Sequence, residues 1–173
     1  MIEYNHINRE EIYELSKEQI EEFEKKDFNI LTVARLSEQK GIDLAIEVMH
    51  FLTETDKNVR WFVCGDGELY ESLYNKIQRY GLEEKFILLG ATDNPYKYMK
   101  RCNLYVQPSK HEGYCLTLAE ALTLGKYAIC TRFAGALEQI DEGVTGNIVE
   151  YDVKSMTKAI RNYIVEHKSG VGE

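Results

Sequence analysis

The sequence predicts a doubly wound α/β domain, a parallel sheet of about six strands with helices on both faces. Three observations carry this. Short, nearly all-apolar runs recur along the chain, as in strands buried on both sides. Between them lie stretches whose apolar residues repeat every three or four positions, the helical period. The only two prolines, Pro95 and Pro108, fall at boundaries between the two textures.

Taken in order, residues 1–27 are charge-rich and read as a connector, with Ser16-x-x-Gln19 as a capping box opening a short helix. Residues 28–173 then form the domain. The strand runs are Ile30–Ala34, Val59–Cys64, Phe86–Leu89, Asn103–Gln107 and Tyr127–Thr131, with a weaker sixth at Gly146–Glu150. One helical stripe is Ile42, Ala45, Ile46, Met49 and Leu52; another is Leu69, Leu73, Ile77 and Tyr80. Tyr96, Tyr98 and Met99 line a short third helix, with Pro95 in its first turn. A fourth helix spans Tyr114–Leu124, and Gly125 stops it. Met156, Ile160, Tyr163 and Ile164 line the last.

Composition removes several function classes. A net charge of −8 with no basic stripe argues against nucleic acid as a partner. Cys64, Cys102, Cys115 and Cys130 form no C-x-x-C pair and sit among apolar neighbours, which fits reduced, buried thiols in a cytoplasmic protein. The acidic N-terminus does not read as a signal peptide, and no apolar run approaches the roughly 20 residues of a membrane-spanning helix. No His/Cys/Asp spacing reads as a metal site.

The chemistry concentrates in Glu112-Gly-Tyr-Cys-Leu-Thr-Leu-Ala-Glu120. Glu120 is the sole charge between Tyr114 and Leu124, in a helix apolar enough to be buried. A buried carboxylate needs a partner. Either a protein cation such as Lys126 supplies it, or a ligand does. The first-turn amides of Cys115, Leu116 and Thr117 would form an anion site at the helix N-terminus. Glu120, on the same face one turn on, could accept hydrogen bonds from the vicinal hydroxyls of an attached ribose. Glu112 precedes the helix, where a group beyond the phosphates would project.

Three other segments follow strands. Arg35 and Lys40 bring two cations to the end of the first strand, suited to phosphate or simply solvated. Gly65-Asp66-Gly67 is either a cleft wall or a tight turn with Asp66 as N-cap. In Phe133–Glu138, Gly135 is small enough for backbone to approach a ligand, and Glu138 either caps a helix start or supports the site.

Together these segments resemble the C-terminal, nucleotide-sugar-binding domain of the retaining GT-B glycosyltransferases that include glycosyltransferase family 4. The resemblance covers residues 29–152. It rests on Ala-Arg35-Leu-x-x-x-Lys40-Gly, Gly65-Asp-Gly67, Pro108-Ser-x-x-Glu112-Gly-Tyr-x-x-x-x-x-Glu120-Ala and Phe-Ala-Gly135-Ala-x-Glu138. It implies a Rossmann-like domain. It implies that Arg35 and Lys40 stabilise the departing nucleoside diphosphate, that Glu112 contacts the donor sugar, and that Glu120 binds the ribose. The amides of Leu116 and Thr117 would hold the diphosphate, with Gly113, Tyr114, Cys115, Gly65 and Gly135 completing the donor site. No cofactor or metal is implied, since cations and a helix end replace it. The donor is expected to be UDP-linked on family frequency.

Cys115 departs from the family where glycine is common, and Tyr127 where proline is common. The length departs too, since the acceptor-binding N-terminal half is absent. The expected protein is therefore the donor half of a hexosyltransferase acting on a glycan or lipid-linked acceptor in polysaccharide biosynthesis. It would be cytoplasmic, reach the inner membrane face through the missing half, and bind nucleotide without turnover when alone. A sugar-nucleotide epimerase of similar fold lacks its acids and bases here. A non-catalytic nucleotide-binding or interaction module would have no use for Arg35, Lys40, Glu112 and Glu120 together.

Overall fold

The computed structural model describes residues 8–168. Residues 1–7 of the expected connector and 169–173 of the expected domain lie outside the described residues. Six parallel strands form one sheet: β1 (Phe28–Val33), β2 (Val59–Cys64), β3 (Phe86–Gly90), β4 (Leu104–Gln107), β5 (Ala128–Thr131) and β6 (Gly146–Val149). Their order across the sheet is β3-β2-β1-β4-β5-β6. The direction of winding reverses between β1 and β4, the switch point where open α/β sheets leave a crevice at the strand carboxyl ends.

Helices cover both faces because strand residues alternate between two cores. Ile30, Trp61, Val63, Phe86, Leu104, Val106 and Ile129 point to one face. There they meet α2 (Ile42–Thr55), α3 (Tyr70–Arg79) and α7 (Val153–Lys168). Leu31, Phe62, Cys64, Tyr105, Ala128 and Cys130 point to the other. That face carries α1 (Arg9–Ser16), α4 (Tyr96–Arg101), α5 (Leu116–Thr123) and α6 (Ala134–Gln139). The central strands β1, β4 and β5 are buried at nearly every position, whereas edge strands β3 and β6 are half-exposed.

Four helical expectations are corrected. Ser16 ends α1 rather than opening a helix; its hydroxyl donates back to the Tyr13 carbonyl at 2.8 Å. The actual N-cap is Asn8, whose Oδ1 accepts from the Glu11 amide at 3.1 Å. Tyr80 lies just past α3 and is exposed, so that stripe is carried by Leu73 and Ile77, with Leu69 at the N-cap packed against the same core. Pro95 is the N-cap of α4 rather than a residue of its first turn. The fourth helix starts at Leu116, because Cys115 takes a left-handed conformation (φ 64°) that ends the loop. At its other end Gly125 (φ 75°) closes α5 as expected, its amide on Leu122 and the Lys126 amide on Ala121.

The connector is packed rather than loose. Ile12 is buried, and Phe23 lies over Phe62 with ring centroids 4.5 Å apart. Asn94 donates to the Leu15 carbonyl at 2.9 Å, Arg101 to the Ser16 carbonyl at 2.9 Å, and Lys97 pairs with Glu18 at 2.6 Å. These bonds tie α4 to the end of α1.

Candidate functional site

The β1–β4 register covers only Ile30↔Leu104 and Leu31↔Tyr105. Beyond it side chains bridge the strands: Thr32 Oγ1 donates to the Val106 carbonyl at 2.6 Å. The loops that follow β1 and β4 are joined at this crevice. The Lys110 amide donates to the Gln39 carbonyl at 2.9 Å, and Gln39 Nε2 donates to the His111 carbonyl at 3.1 Å. Gly41 (φ 68°) makes the approach possible, since a Cβ there would run into the Pro108 carbonyl.

This zipping brings Lys40 onto Glu112 as an ion pair. Glu112 is well buried, its side chain 10% exposed. A chain of buried hydrogen bonds fixes it from below. Tyr105 donates to Gln107 Oε1 at 2.6 Å, Gln107 Nε2 to Ser109 Oγ at 3.0 Å, and Ser109 Oγ to Glu112 Oε1 at 3.1 Å. Thr117 Oγ1 also donates to Gln107 Oε1 at 3.3 Å, linking α5 to the same network. Satisfied buried networks of this kind hold a charged group in one geometry. Sequence reasoning missed Gln107 and Ser109; the signal was a glutamine inside an otherwise apolar strand.

Arg35 behaves differently. Its side chain is 74% exposed, with only a 3.9 Å contact to Glu68. It borders a cleft of about 350 Å³ lined by Val33, Ala34, Cys64, Gly65, Thr92 and Thr117 among others, at the carboxyl ends of β1 and β2. A larger groove of about 790 Å³ runs along β6 and α7, away from all these residues. The chemistry-bearing side chains gather at the smaller cleft and its neighbouring loop, so we take the switch-point crevice as the site.

The N-cap of α5, Cys115, makes no side-chain capping hydrogen bond by distance and angle. The first helical amides start at Leu116 rather than Cys115, and Leu116 is exposed, against the expectation of a wholly buried helix. Glu120 is half-buried one turn further on. Of the two alternatives, the protein cation is not its partner: Lys126 instead donates to the Cys102 carbonyl at 2.9 Å. Glu120 accepts from the Tyr96 hydroxyl at 3.0 Å, a neutral donor. Burial raises the Glu120 carboxyl above its ordinary value, and the Tyr96 bond only partly offsets this. Burial likewise lowers Lys126.

Gly65 lines the cleft, and both it and Gly135 also leave room for neighbouring backbone. A Cβ on Gly65 (φ 148°) would strike the Ala34 carbonyl, and one on Gly135 the carbonyls of Gly113 and Tyr114. The Gly135 amide donates to the Gly113 carbonyl at 2.8 Å, and Gln139 Nε2 donates to the Tyr114 carbonyl. Thus α6 pins the loop that leads into α5. Asp66 caps only the adjacent Gly67 amide and not α3, which begins at Tyr70. Glu138 is exposed within α6, whose start is Ala134, so it caps nothing there.

All four cysteines are free and buried. Burial pushes the Cys64 and Cys102 thiols up to about 12, so neither is a thiolate nucleophile. Among the described residues, no cluster of three His, Cys, Asp or Glu could hold a metal ion, and no helix is long and apolar enough to cross a membrane.

Charged and glycine-rich loops converge on the switch point of a Rossmann-like sheet, an arrangement that many ligand-binding α/β proteins share, and comparison with known proteins gives the family. The family described as glycosyl transferases group 1 matches residues 14–169, and the chain belongs to it. An N-acetylgalactosaminyltransferase of Campylobacter jejuni, named for a diphospho-undecaprenol substrate, is 34% identical over 95% of this chain and 44% of its own length. The gpi3 subunit of a phosphatidylinositol N-acetylglucosaminyltransferase from Schizosaccharomyces pombe is 30% identical over 83% of this chain and 32% of its own. The chain thus spans less than half the length of these relatives. Among solved structures, Anabaena HepE in complex with UDP superposes with a TM-score of 0.74 at 24% identity, over 83% of this chain and 40% of that one. Pneumococcal GtfA, an O-GlcNAc transferase in complex with UDP and GlcNAc, gives 0.71 at 21% identity, over 83% and 30%. These share the GT-B domain fold.

Proposed function

We propose that this chain is the donor-binding half of a retaining glycosyltransferase, which moves a hexosyl group from a UDP-sugar to a glycan or lipid-linked acceptor held by a second, acceptor-binding half. The observation that carries the reading is Glu120. It is a half-buried carboxylate with a raised pKa and no cation, one turn behind a helix N-terminus at the switch point. That arrangement suits a ribose below a diphosphate. In the proposed complex the Leu116 and Thr117 amides hold the diphosphate. Arg35, exposed and in only a long contact with Glu68, folds onto it. Lys40 bridges the leaving phosphate and Glu112, which faces the donor sugar. Charge growing on the departing UDP then meets fixed cations and a helix dipole without a metal.

UDP is favoured by the UDP held in the HepE and GtfA structures, and a lipid-linked acceptor by the name of the Campylobacter relative. Such an acceptor would bring the protein to the cytoplasmic membrane face. Alone, the chain binds nucleotide without turnover; repeated sugar transfer by the unpartnered chain would defeat that part. The central test is calorimetric titration of the chain with UDP, ADP and GDP, beside Glu120→Ala. Binding of UDP that the variant loses is expected. Equal binding by both proteins would remove Glu120 from the donor site.

A further inference from the structure

We infer that Tyr96 is a positioning residue for the donor nucleotide: its phenolic hydroxyl holds the Glu120 carboxylate in the orientation that receives the ribose. The inference rests on the donor-site reading of Glu120 given above. Nothing in the sequence motifs includes Tyr96, which sits on a different helix.

The geometry is specific. Tyr96 Oη donates to Glu120 Oε1 at 3.0 Å across the α4–α5 contact. A phenol donates one proton, and an ionised carboxylate offers about four acceptor positions. One is occupied, and the rest stay open to the two vicinal ribose hydroxyls. Without this bond Glu120 would rotate about its own side-chain torsions, because Lys126, the cation that the sequence offered as a partner, is committed to the Cys102 carbonyl. Tyr96 is also a dependable donor. Burial, and then the Glu120 charge, push its hydroxyl up to about 12, so it keeps its proton at any working pH.

What holds Tyr96 in place is equally particular. Its helix α4 has six residues, too few to be stable on intrinsic propensity. It is anchored from one side by buried Tyr98 and Met99. From the other side α1 holds it, through Asn94 on Leu15 and Glu18, Lys97 on Glu18 and Arg101 on Ser16. The connector helix therefore sets the position of α4, α4 sets the Tyr96 hydroxyl, and that hydroxyl sets Glu120.

The test is a double-mutant cycle read by calorimetry on the chain as it stands. Tyr96→Phe keeps the ring and deletes only the donor. UDP and its 2′,3′-dideoxy analogue are titrated into wild type, Tyr96→Phe, Glu120→Ala and the double variant. We expect Tyr96→Phe to lose UDP affinity about tenfold, the value of one hydrogen bond to a charged group. It should bind the dideoxy analogue as wild type does, and add no loss to Glu120→Ala. A melting curve of Tyr96→Phe checks that the ring still packs. Equal losses for UDP and the dideoxy analogue would overturn the inference, because Tyr96 would then act on the fold and not on the ribose. Wild-type UDP affinity in Tyr96→Phe, with loss in Glu120→Ala, would overturn it and leave the donor site standing. Unchanged UDP affinity in Glu120→Ala, or no UDP binding by wild type, would remove the donor-site reading itself.

Discussion

Replacing Gly135 by alanine should disturb the site without touching a ligand. Gly135 lies in the first turn of α6, its amide bonded to the Gly113 carbonyl at 2.8 Å. A Cβ built there lies far too close to the carbonyl oxygens of Gly113 and Tyr114. It also lies 2.6 Å from the Tyr114 carbonyl carbon, where ordinary contact begins at 3.4 Å. The backbone must part by at least about 0.8 Å, the difference of those distances, and by more to clear the nearer oxygens, in an interior packed too densely to absorb it. Overpacking of this kind costs about 1–3 kcal/mol, and weakening the amide bond adds about 1 kcal/mol. We therefore expect Gly135→Ala to lose about 2–4 kcal/mol of unfolding free energy, read as a lower urea midpoint at constant slope. The displacement passes to Tyr114 and Cys115 and so to the first α5 amides, and UDP affinity should fall by about tenfold. Gly113→Ala is the control. Its Cβ enters open space and its φ is not left-handed, so stability should stay within about 0.5 kcal/mol. A Gly135→Ala chain that melts with wild type and binds UDP equally well would refute the packing argument and its link to the site.

Two further outcomes follow from the same loop and helix. Cys115 carries a left-handed backbone (φ 64°) that glycine adopts freely. Cys115→Gly should thus be more stable than Cys115→Ala by about 1 kcal/mol in paired urea melts, and an alanine variant that equals or exceeds glycine would remove the strain. For Glu120 the sign follows from burial raising its carboxyl above the ordinary 4.5. The folded state then holds that proton more tightly than the unfolded state. The charge costs stability above the folded pKa and nothing below the ordinary value. Glu120→Gln should therefore gain on wild type at about pH 7 and lose that gain near about pH 4. A Glu120→Gln chain less stable than wild type at neutral pH would mean that a protein cation holds the carboxylate after all.

The strands and most helices were legible because their signals are local. Ile30–Leu31, Trp61–Phe62 and Ile129–Cys130 alternate between two buried faces, and only a sheet covered on both sides makes such runs continuous in sequence. The motif residues were legible for the same reason: each follows a strand and precedes a helix, and a parallel sheet gathers such loops at one edge. Which groups meet there was not legible. Lys40 reaches Glu112 only because the winding reverses between β1 and β4, and Glu120 meets Tyr96 only because α4 packs on α5. Gly65 and Gly135 read as room for a ligand, and nothing in the sequence signalled that their missing side chains also make room for the Ala34 and Tyr114 backbones. Ser16 matched a capping pattern, but chain direction alone could not tell a helix start from a helix end whose register is set by Ile12 entering the core. The sequence by itself determined the fold class and the inventory of charged and glycine residues, through periodicity and spacing. The tertiary structure decided the partners, because ion pairs, carboxylate donors and close backbone contacts here join residues more than twenty positions apart.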